Sequence, residues 1–326
     1  MTAGPACRRV PPARVSVLIP TLRRPASLER AVRSVLSQTG VEEALAEVVV
    51  IDNSPEASAR EPVERLKASS SLPLVYVHEP SPGVATARNS GLRAAKGHWI
   101  AFLDDDEEAT PGWLAALLAD HARLAGDVTF GPIEAVIPDS TGAMKPYLER
   151  LFARRGPETS TELKKPYGCG NSVMTRATAL AGDAPFDERM NETGGEDDAL
   201  FARLAAQGRR FCWSAGALVL EHPEPHRTSF RWAMMRAFTY GQGPSKTAVR
   251  NRDVLGLLRW VVIGAGQTAV YGSAAAVLWL IGHPRRADML DKTLHGLGKV
   301  LFMSAFQPKL YGRAAVARGD EAASHA

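Results

Sequence analysis

The first hundred residues alternate between two kinds of segment, and this alternation limits the fold more than any other feature. Short, strand-like runs, "VSVLI" (15–19), "EVVVI" (47–51), "LVYV" (74–77) and "HWIAFL" (98–103), are separated by helical stretches. Those stretches run from Pro25 to Gln38, up to about Ala68, and from about Val84 to Ala95. Strands of this length joined through helices build βαβ units and a mainly parallel sheet. In such sheets ligands bind beyond the carboxyl ends of the strands. The unusual residues of this chain lie at those ends.

After the first strand comes "PTLRRP", with no G-x-G-x-x-G turn, so a dinucleotide-binding dehydrogenase loses its main support. Arg23 and Arg24 are placed there to meet phosphates. After the second strand, Asp52 is a candidate hydrogen-bond acceptor for a base or ribose, with loop capping as the alternative. After the third, "SPGVATARNSG" supplies a turn at Gly83 and a helix whose first amides could face an anion near Arg88.

The fourth strand ends in "DDDEEATPGWL". The dipole of a helix opening at Thr110-Pro111 accounts for Glu107 and Glu108. It accounts less well for Asp104, Asp105 and Asp106 on the strand end. In an extended segment Asp104 and Asp106 point to one side. Such a pair can hold a hard divalent cation, leaving sites for phosphate oxygens and water.

The order of these features resembles the family 2 glycosyltransferases with the GT-A fold, over roughly residues 14 to 240. The motifs are Pro20-Thr21, Asp52-Asn53-Ser54, and Gly83 with Ala87-Arg88-Asn89 and Gly91. Asp104-Asp105-Asp106 follows, with Pro111, Trp113 and Leu114, then Gly195-Glu196-Asp197 with Arg203 and Gly208, and His222 after the last strand. Asn53 stands where many members carry a second Asp, and Ser81 where many carry Asn. The resemblance implies an α/β, Rossmann-like nucleotide-sugar domain with a mainly parallel sheet, and transfer from a nucleotide-diphosphate sugar with inversion. It implies donor contacts from Pro20, Thr21, Arg23, Asp52, Gly83, Arg88, Asp104 and Asp105. Asp106, with His222, would hold Mg²⁺ or Mn²⁺, and Asp197 would be the catalytic base. Glu196, together with Gly170 and Asn171 in "GCGN", would line the acceptor side. A non-catalytic nucleotide-sugar-binding scaffold or sensor is the alternative, and the presence of both Asp106 and Asp197 counts against it. A phosphatase would want its Asp pair after the first strand, and a nucleotidyltransferase a glycine-rich, lysine-bearing first turn.

A net charge of +4 is too mild to argue for nucleic acid, and no basic run is interleaved with aromatics. Cys7, Cys169 and Cys212 are far apart with no CxxC, so neither a zinc cluster nor a disulfide framework is suggested, which fits a reducing compartment. The first residues carry no apolar signal-peptide core. Residues 1–13 read as a disordered tail, 14–227 as the catalytic domain, and 228–326 as a helical, membrane-associated region. Between Arg259 and Arg285 the chain has no charged residue, a length that can cross a bilayer. Lys and Arg flank it on both sides and give no orientation. An interfacial or re-entrant helix, a true span and a buried soluble helix all remain open. Each is compatible with a cytoplasmic membrane face and a glycan or lipid-linked acceptor.

Overall fold

The computed structural model describes residues 14–192, 194–306 and 308, so the expected disordered tail lies outside the described residues. The chain divides into two compact units. The first comprises residues up to Ile133 and Arg155–Leu220, the second Glu134–Arg154 and residues from Glu221.

In the first unit the expected alternation is present: β1 (Val15–Thr21), α1 (Pro25–Leu36), β2 (Leu45–Asp52), α2 (Arg60–Ala68), β3 (Leu74–His78), α3 (Val84–Ala94) and β4 (Trp99–Phe102). There follow β5 (Glu107–Ala109), α4 (Trp113–Leu124), β6 (Val128–Phe130) and β7 (Ile133–Ala135). The chain leaves for the second unit within β7. It returns for β8 (Thr161–Leu163), β9 (Ser172–Thr175), α6 (Arg176–Ala179), α7 (Glu196–Ala206), β10 (Phe211–Trp213) and β11 (Val219–Glu221). The second unit holds α5 (Lys145–Phe152), α8 (Phe230–Arg250), α9 (Val254–Leu280) and α10 (Arg286–Val300).

The main sheet has strand order β3-β2-β1-β4-β9-β6-β10-β8. Pairs β3-β2, β2-β1, β1-β4 and β6-β10 are parallel, while β9 runs antiparallel to both its neighbours and β8 antiparallel to β10. A central parallel strand is covered on both faces, which is why β1 and β2 are apolar almost without interruption. Alternation still sorts their side chains. Val15, Val17 and Ile19 join Val48 and Val50 in one core with Leu28 and Val32 of α1 and Leu117 of α4. Leu18 joins Val49 and Ile51 in the opposite core with Leu92 of α3 and Phe201 of α7. The carboxyl ends of β1, β2 and β4 are therefore held in register, with Thr21 beside Asp52 and Leu18 beside Phe102.

One local expectation changes. The acidic stretch does not lead directly into a helix: Glu107 and Glu108 lie in β5, and α4 starts only at Trp113, with no acidic residue in its first turn. Gly112, at φ 79°, turns the chain into that helix. Glu107 is buried instead, and a helix dipole has no part in stabilising it.

The second unit has its own core. Ile137, Tyr147, Leu148 and Phe152 from the excursion pack with Ala233, Met234 and Ala287. This is why residues 134–154 group with the C-terminal helices, whereas the linear division expected at 227/228 keeps them with the sheet. Helices α8, α9 and α10 meet at backbone distance. A Cβ on Gly241 would strike the backbone of His295, one on Gly298 the Phe238 carbonyl, and one on Gly264 the Gly296 carbonyl. Small residues of this kind let helices approach closely.

Candidate active site

Each strand end of the first unit first solves a local problem. At the end of β2, Asp52 is fully buried, and both carboxylate oxygens have partners. Oδ1 accepts from the Ser54 backbone N–H (3.1 Å) and hydroxyl (2.7 Å), and Oδ2 from the Ala59 N–H (2.7 Å) and Tyr76 hydroxyl (3.0 Å). Burial, reinforced by the Asp52 carboxylate, pushes the Tyr76 phenol up to about 12. Asp52 thus ties down its own loop. Asn53 holds the next loop: its amide donates to the carbonyls of Glu79 and Ser81, and its oxygen accepts from the Gly83 N–H (2.7 Å).

Gly83 is needed there because a Cβ would overlap the Asn191 side chain. Asn191 Oδ1 accepts from the N–H groups of Ala85 (3.0 Å) and Thr86 (3.3 Å). The first amides of α3, read as a site for an anion, are therefore capped by a side chain from elsewhere in the unit. The spacing within one helix could not reveal that partner.

At the end of β4 the chain turns, and the three aspartates separate. The Thr21 hydroxyl donates to Asp105 Oδ2 (2.8 Å), and Arg24 Nη1 donates to Asp105 Oδ1 (2.9 Å) and Asp106 Oδ2 (3.4 Å). Burial pushes the Asp105 carboxyl up to about 6, opposed by Arg24 and helped by the Asp106 charge. Asp104 lies instead 3.7 Å from Arg88 Nη2. An extended Asp104/Asp106 pair is thus replaced by a turn in which Asp105 and Asp106 share one guanidinium. Arg23, one of the two arginines expected to meet phosphates, makes a bidentate pair with Glu56 at 2.6 and 3.0 Å. Its backbone, at φ 57°, divides the directions of the two arginines. Arg24 is the one that meets the acidic cluster. Pro20 lies one residue earlier in β1, half-buried and opposite Ile51.

Arg88 links two parts of the site. Its Nη1 donates to Glu196 at 2.6 Å, its guanidinium lies over the Phe186 ring, and its side chain is only 6% exposed. Nε is buried and has no hydrogen-bond partner among the described residues. Burial raises the Glu196 carboxyl above its ordinary value, with Arg88 opposing. Next to it, Asp197 is half-buried, and its oxygens accept from the N–H groups of Cys169 (3.2 Å) and Asp198 (2.9 Å). Burial also pushes the Cys169 thiol far up, so it stays a neutral thiol.

Gly170 and Asn171 close the far side. A Cβ on Gly170 would stand 2.5 Å from Asp104 Oδ2 and 2.9 Å from Glu107 Oε1. Asn171 is fully buried, and its amide is held by Trp113, Pro132 and Ala217. Its N–H donates to Glu107 Oε2, which also accepts from the Asp104 N–H. Asn171 and Glu107 therefore fix the Asp104 turn against the start of β9. Glu107 and Arg24 are the site residues that sequence reasoning missed in this role. Each lies within a motif already singled out, but its partner comes from a distant segment. His222 follows β11, is half-buried and belongs to the second unit.

Among the described residues no group of three or more His, Cys, Asp or Glu side chains is arranged to hold a metal by itself. Asp105 and Asp106 are nevertheless hard oxygen donors already gathered round a positive charge, that of Arg24. This donor set fits Mg²⁺ or Mn²⁺ shared with substrate phosphates, since Mg²⁺ is usually held by one or two carboxylates plus phosphate and water.

A model described as Glycosyl transferase family 2 matches residues 16–181. The chain belongs to glycosyltransferase family 2. It is 30% identical over 279 residues to the succinoglycan biosynthesis protein ExoM of Rhizobium meliloti, covering 83% of this chain and 87% of that one. It is 29% identical over 266 residues to the pre-mycofactocin glycosyltransferase of Mycobacterium tuberculosis, covering 77% of this chain and 53% of that one. Among solved structures it is similar to S. aureus TarS 1–349 in complex with UDP-GlcNAc, with TM-score 0.52 and 17% identity. That match covers 88% of this chain and 90% of TarS 1–349. It is also similar to GalNAc-T7 with UDP, GalNAc and Mn²⁺, with TM-score 0.53, 20% identity and coverage of 72% and 51%. This family 2 glycosyltransferase accordingly has the GT-A fold.

Proposed function

We propose that this glycosyltransferase is inverting and divalent-metal-dependent, and moves a sugar from a nucleotide-diphosphate sugar to a hydroxyl acceptor. The acceptor belongs to a cell-surface glycan, polysaccharide or glycolipid, and the enzyme works at the cytoplasmic face of the membrane. The relatives' names, TarS with its UDP-sugar and the C-terminal helices support this assignment.

One observation carries the chemistry. Of the acidic residues opening α7, Glu196 is buried and committed to Arg88, whereas Asp197 is fixed by two backbone N–H groups and still half-exposed. A carboxylate so placed can accept a proton without giving up a salt bridge. In the proposed step Asp197 takes the acceptor hydroxyl's proton as that oxygen bonds to the anomeric carbon from the face opposite the diphosphate. The anomeric carbon–oxygen bond to the donor breaks, and its electron pair leaves with the diphosphate. Mg²⁺ or Mn²⁺, when bound, would supply Lewis-acid stabilisation to that leaving group, and Asp106 is the carboxylate that would hold it. Asp105 and Thr21 keep the Asp106 turn in place. Arg88 fixes Glu196 beside Asp197 and Asp104 on the donor side.

The test is turnover with a panel of nucleotide sugars and Mn²⁺, followed by NMR of the product's anomeric centre. The assignment predicts inversion relative to the donor, and loss of turnover in EDTA that Mg²⁺ or Mn²⁺ restores. Retained configuration, or undiminished turnover in EDTA, contradicts it.

A further inference from the structure

Helix α9 presents two opposite stripes. One faces α10: Gly264 lies against Gly296 and Lys299, Thr268 against Gly296, and Gly272 against Thr293. Tyr271 lies under Lys292 at 5.2 Å, and Trp279 under Arg286 at 4.8 Å. The other stripe is exposed and mostly apolar, with Leu255 (80% exposed), Leu258, Val262, Val270, Val277 and Leu280 (87% exposed), and with Arg259 and Ser273 on the same side. Nine residues separate Leu255 from Gly264, so at 3.6 residues per turn the two stripes are on opposite sides.

The α10 stripe decides how such a helix can meet a bilayer. From Gly264 to Trp279 the two helices run together for about 22 Å, most of a ~30 Å hydrocarbon core. Over that length α10 carries Asp288, Asp291, Lys292 and His295, with Lys299 at the end beside Gly264. Asp288 is paired with Arg150 of α5 at 2.7 Å, and Asp291 accepts from the Tyr147 hydroxyl of α5 at 2.9 Å. If α9 crossed the membrane it would carry α10, α5 and these ionisable side chains into hydrocarbon, where charge is costly. The bare stripe alone can enter without them. Charge points the same way: residues 228–308 hold ten Lys and Arg against three Asp. Trp279 and Tyr271, each beside a cation, suit the interfacial layer.

We infer that α9 lies in the plane of the membrane, its bare stripe sunk into one anionic leaflet, and does not cross. This inference rests on the membrane assignment made above and specifies its geometry.

The full chain carrying Cys7→Ser is given single cysteines at Leu255, Val270 or Leu280 and labelled with a fluorophore; Cys169 and Cys212 are buried. It is added to vesicles of phosphatidylcholine, alone or mixed with phosphatidylglycerol, brominated at shallow or deep acyl positions. In-plane docking predicts shallow quenching at all three sites, and stronger binding to the phosphatidylglycerol vesicles. Deep quenching at Val270 with shallow quenching at both ends overturns the inference and leaves the membrane assignment standing. No quenching on either vesicle overturns both. Val262→Glu with Val270→Glu, on the bare stripe, should lower vesicle partitioning at least about tenfold while turnover on a water-soluble acceptor is kept. Unchanged partitioning also overturns the inference.

Discussion

Two arginines serve the same acidic site in opposite ways. Arg24 is 28% exposed along its side chain and bridges Asp105 and Asp106 from the edge. Arg88, 6% exposed, is enclosed between Glu196, Asp104 and the Phe186 ring. A partly exposed ion pair contributes little and can be exchanged, whereas breaking a buried one strands a charge. On the proposed mechanism this divides the labour: Arg88 belongs to the frame, while Arg24 occupies carboxylates that a divalent metal would claim.

The sharpest break of that contrast is Arg88→Met. Glu196 would be left buried without its cation, so unfolding free energy should fall by about 3–5 kcal/mol. Adding Glu196→Gln should recover part of the loss, because the two positions are coupled. Urea unfolding of the two single variants and the double variant measures this. Losses that simply add would show that Arg88 is not held by Glu196.

His121 shows burial outweighing a nearby charge, that of Asp127. It is held between the hydroxyls of Thr129 (2.8 Å) and Thr175 (2.9 Å), and burial lowers its pKa to about 4. Between pH 6.5 and about 4 the unfolded chain takes up the proton and the folded one does not. Its stabilising contribution is therefore complete above pH 6.5 and is lost as the pH falls, by about 1.4 kcal/mol per pH unit. Unfolding free energies of wild type and His121→Gln across this window should converge as the pH drops. A constant gap would contradict a neutral buried imidazole.

The smallest effect belongs to Arg24→Ala, which should cost less than about 1 kcal/mol because the pair is partly exposed. Releasing Asp105 and Asp106 from the guanidinium should let Mn²⁺ alone raise the melting temperature more than in wild type. A smaller rise in the variant would place Arg24 in the frame with Arg88.

The same contrast marks the limits of reading the chain. β1 to β4 and their helices were legible because each strand is a short apolar run and each helix carries a helical repeat. The strand-end positions followed from that pattern, since parallel register brings Thr21 beside Asp52. Partners from distant segments left no local trace. Asn191 caps α3, the 134–154 excursion joins the C-terminal core, and Glu107 ties Asn171 to the Asp104 turn. Choosing Arg23 over Arg24 depended on one left-handed backbone angle, which the adjacent "RR" does not reveal. Asp52 was a visible candidate, but its engagement by Ser54, Ala59 and Tyr76 required the folded loop.

The central claim is the separation of a base at Asp197 from a donor and metal site at Asp106. Asp197→Asn keeps the size of the side chain and an oxygen for the Cys169 N–H, but cannot take the acceptor proton. General-base catalysis contributes on the order of 10²- to 10⁴-fold, so kcat should fall by about that much. Donor Kd, measured by calorimetry with Mn²⁺ present, should stay unchanged in this variant and weaken in Asp106→Asn. Wild-type turnover in Asp197→Asn, or loss of donor binding in a folded Asp197→Asn protein, would contradict the account.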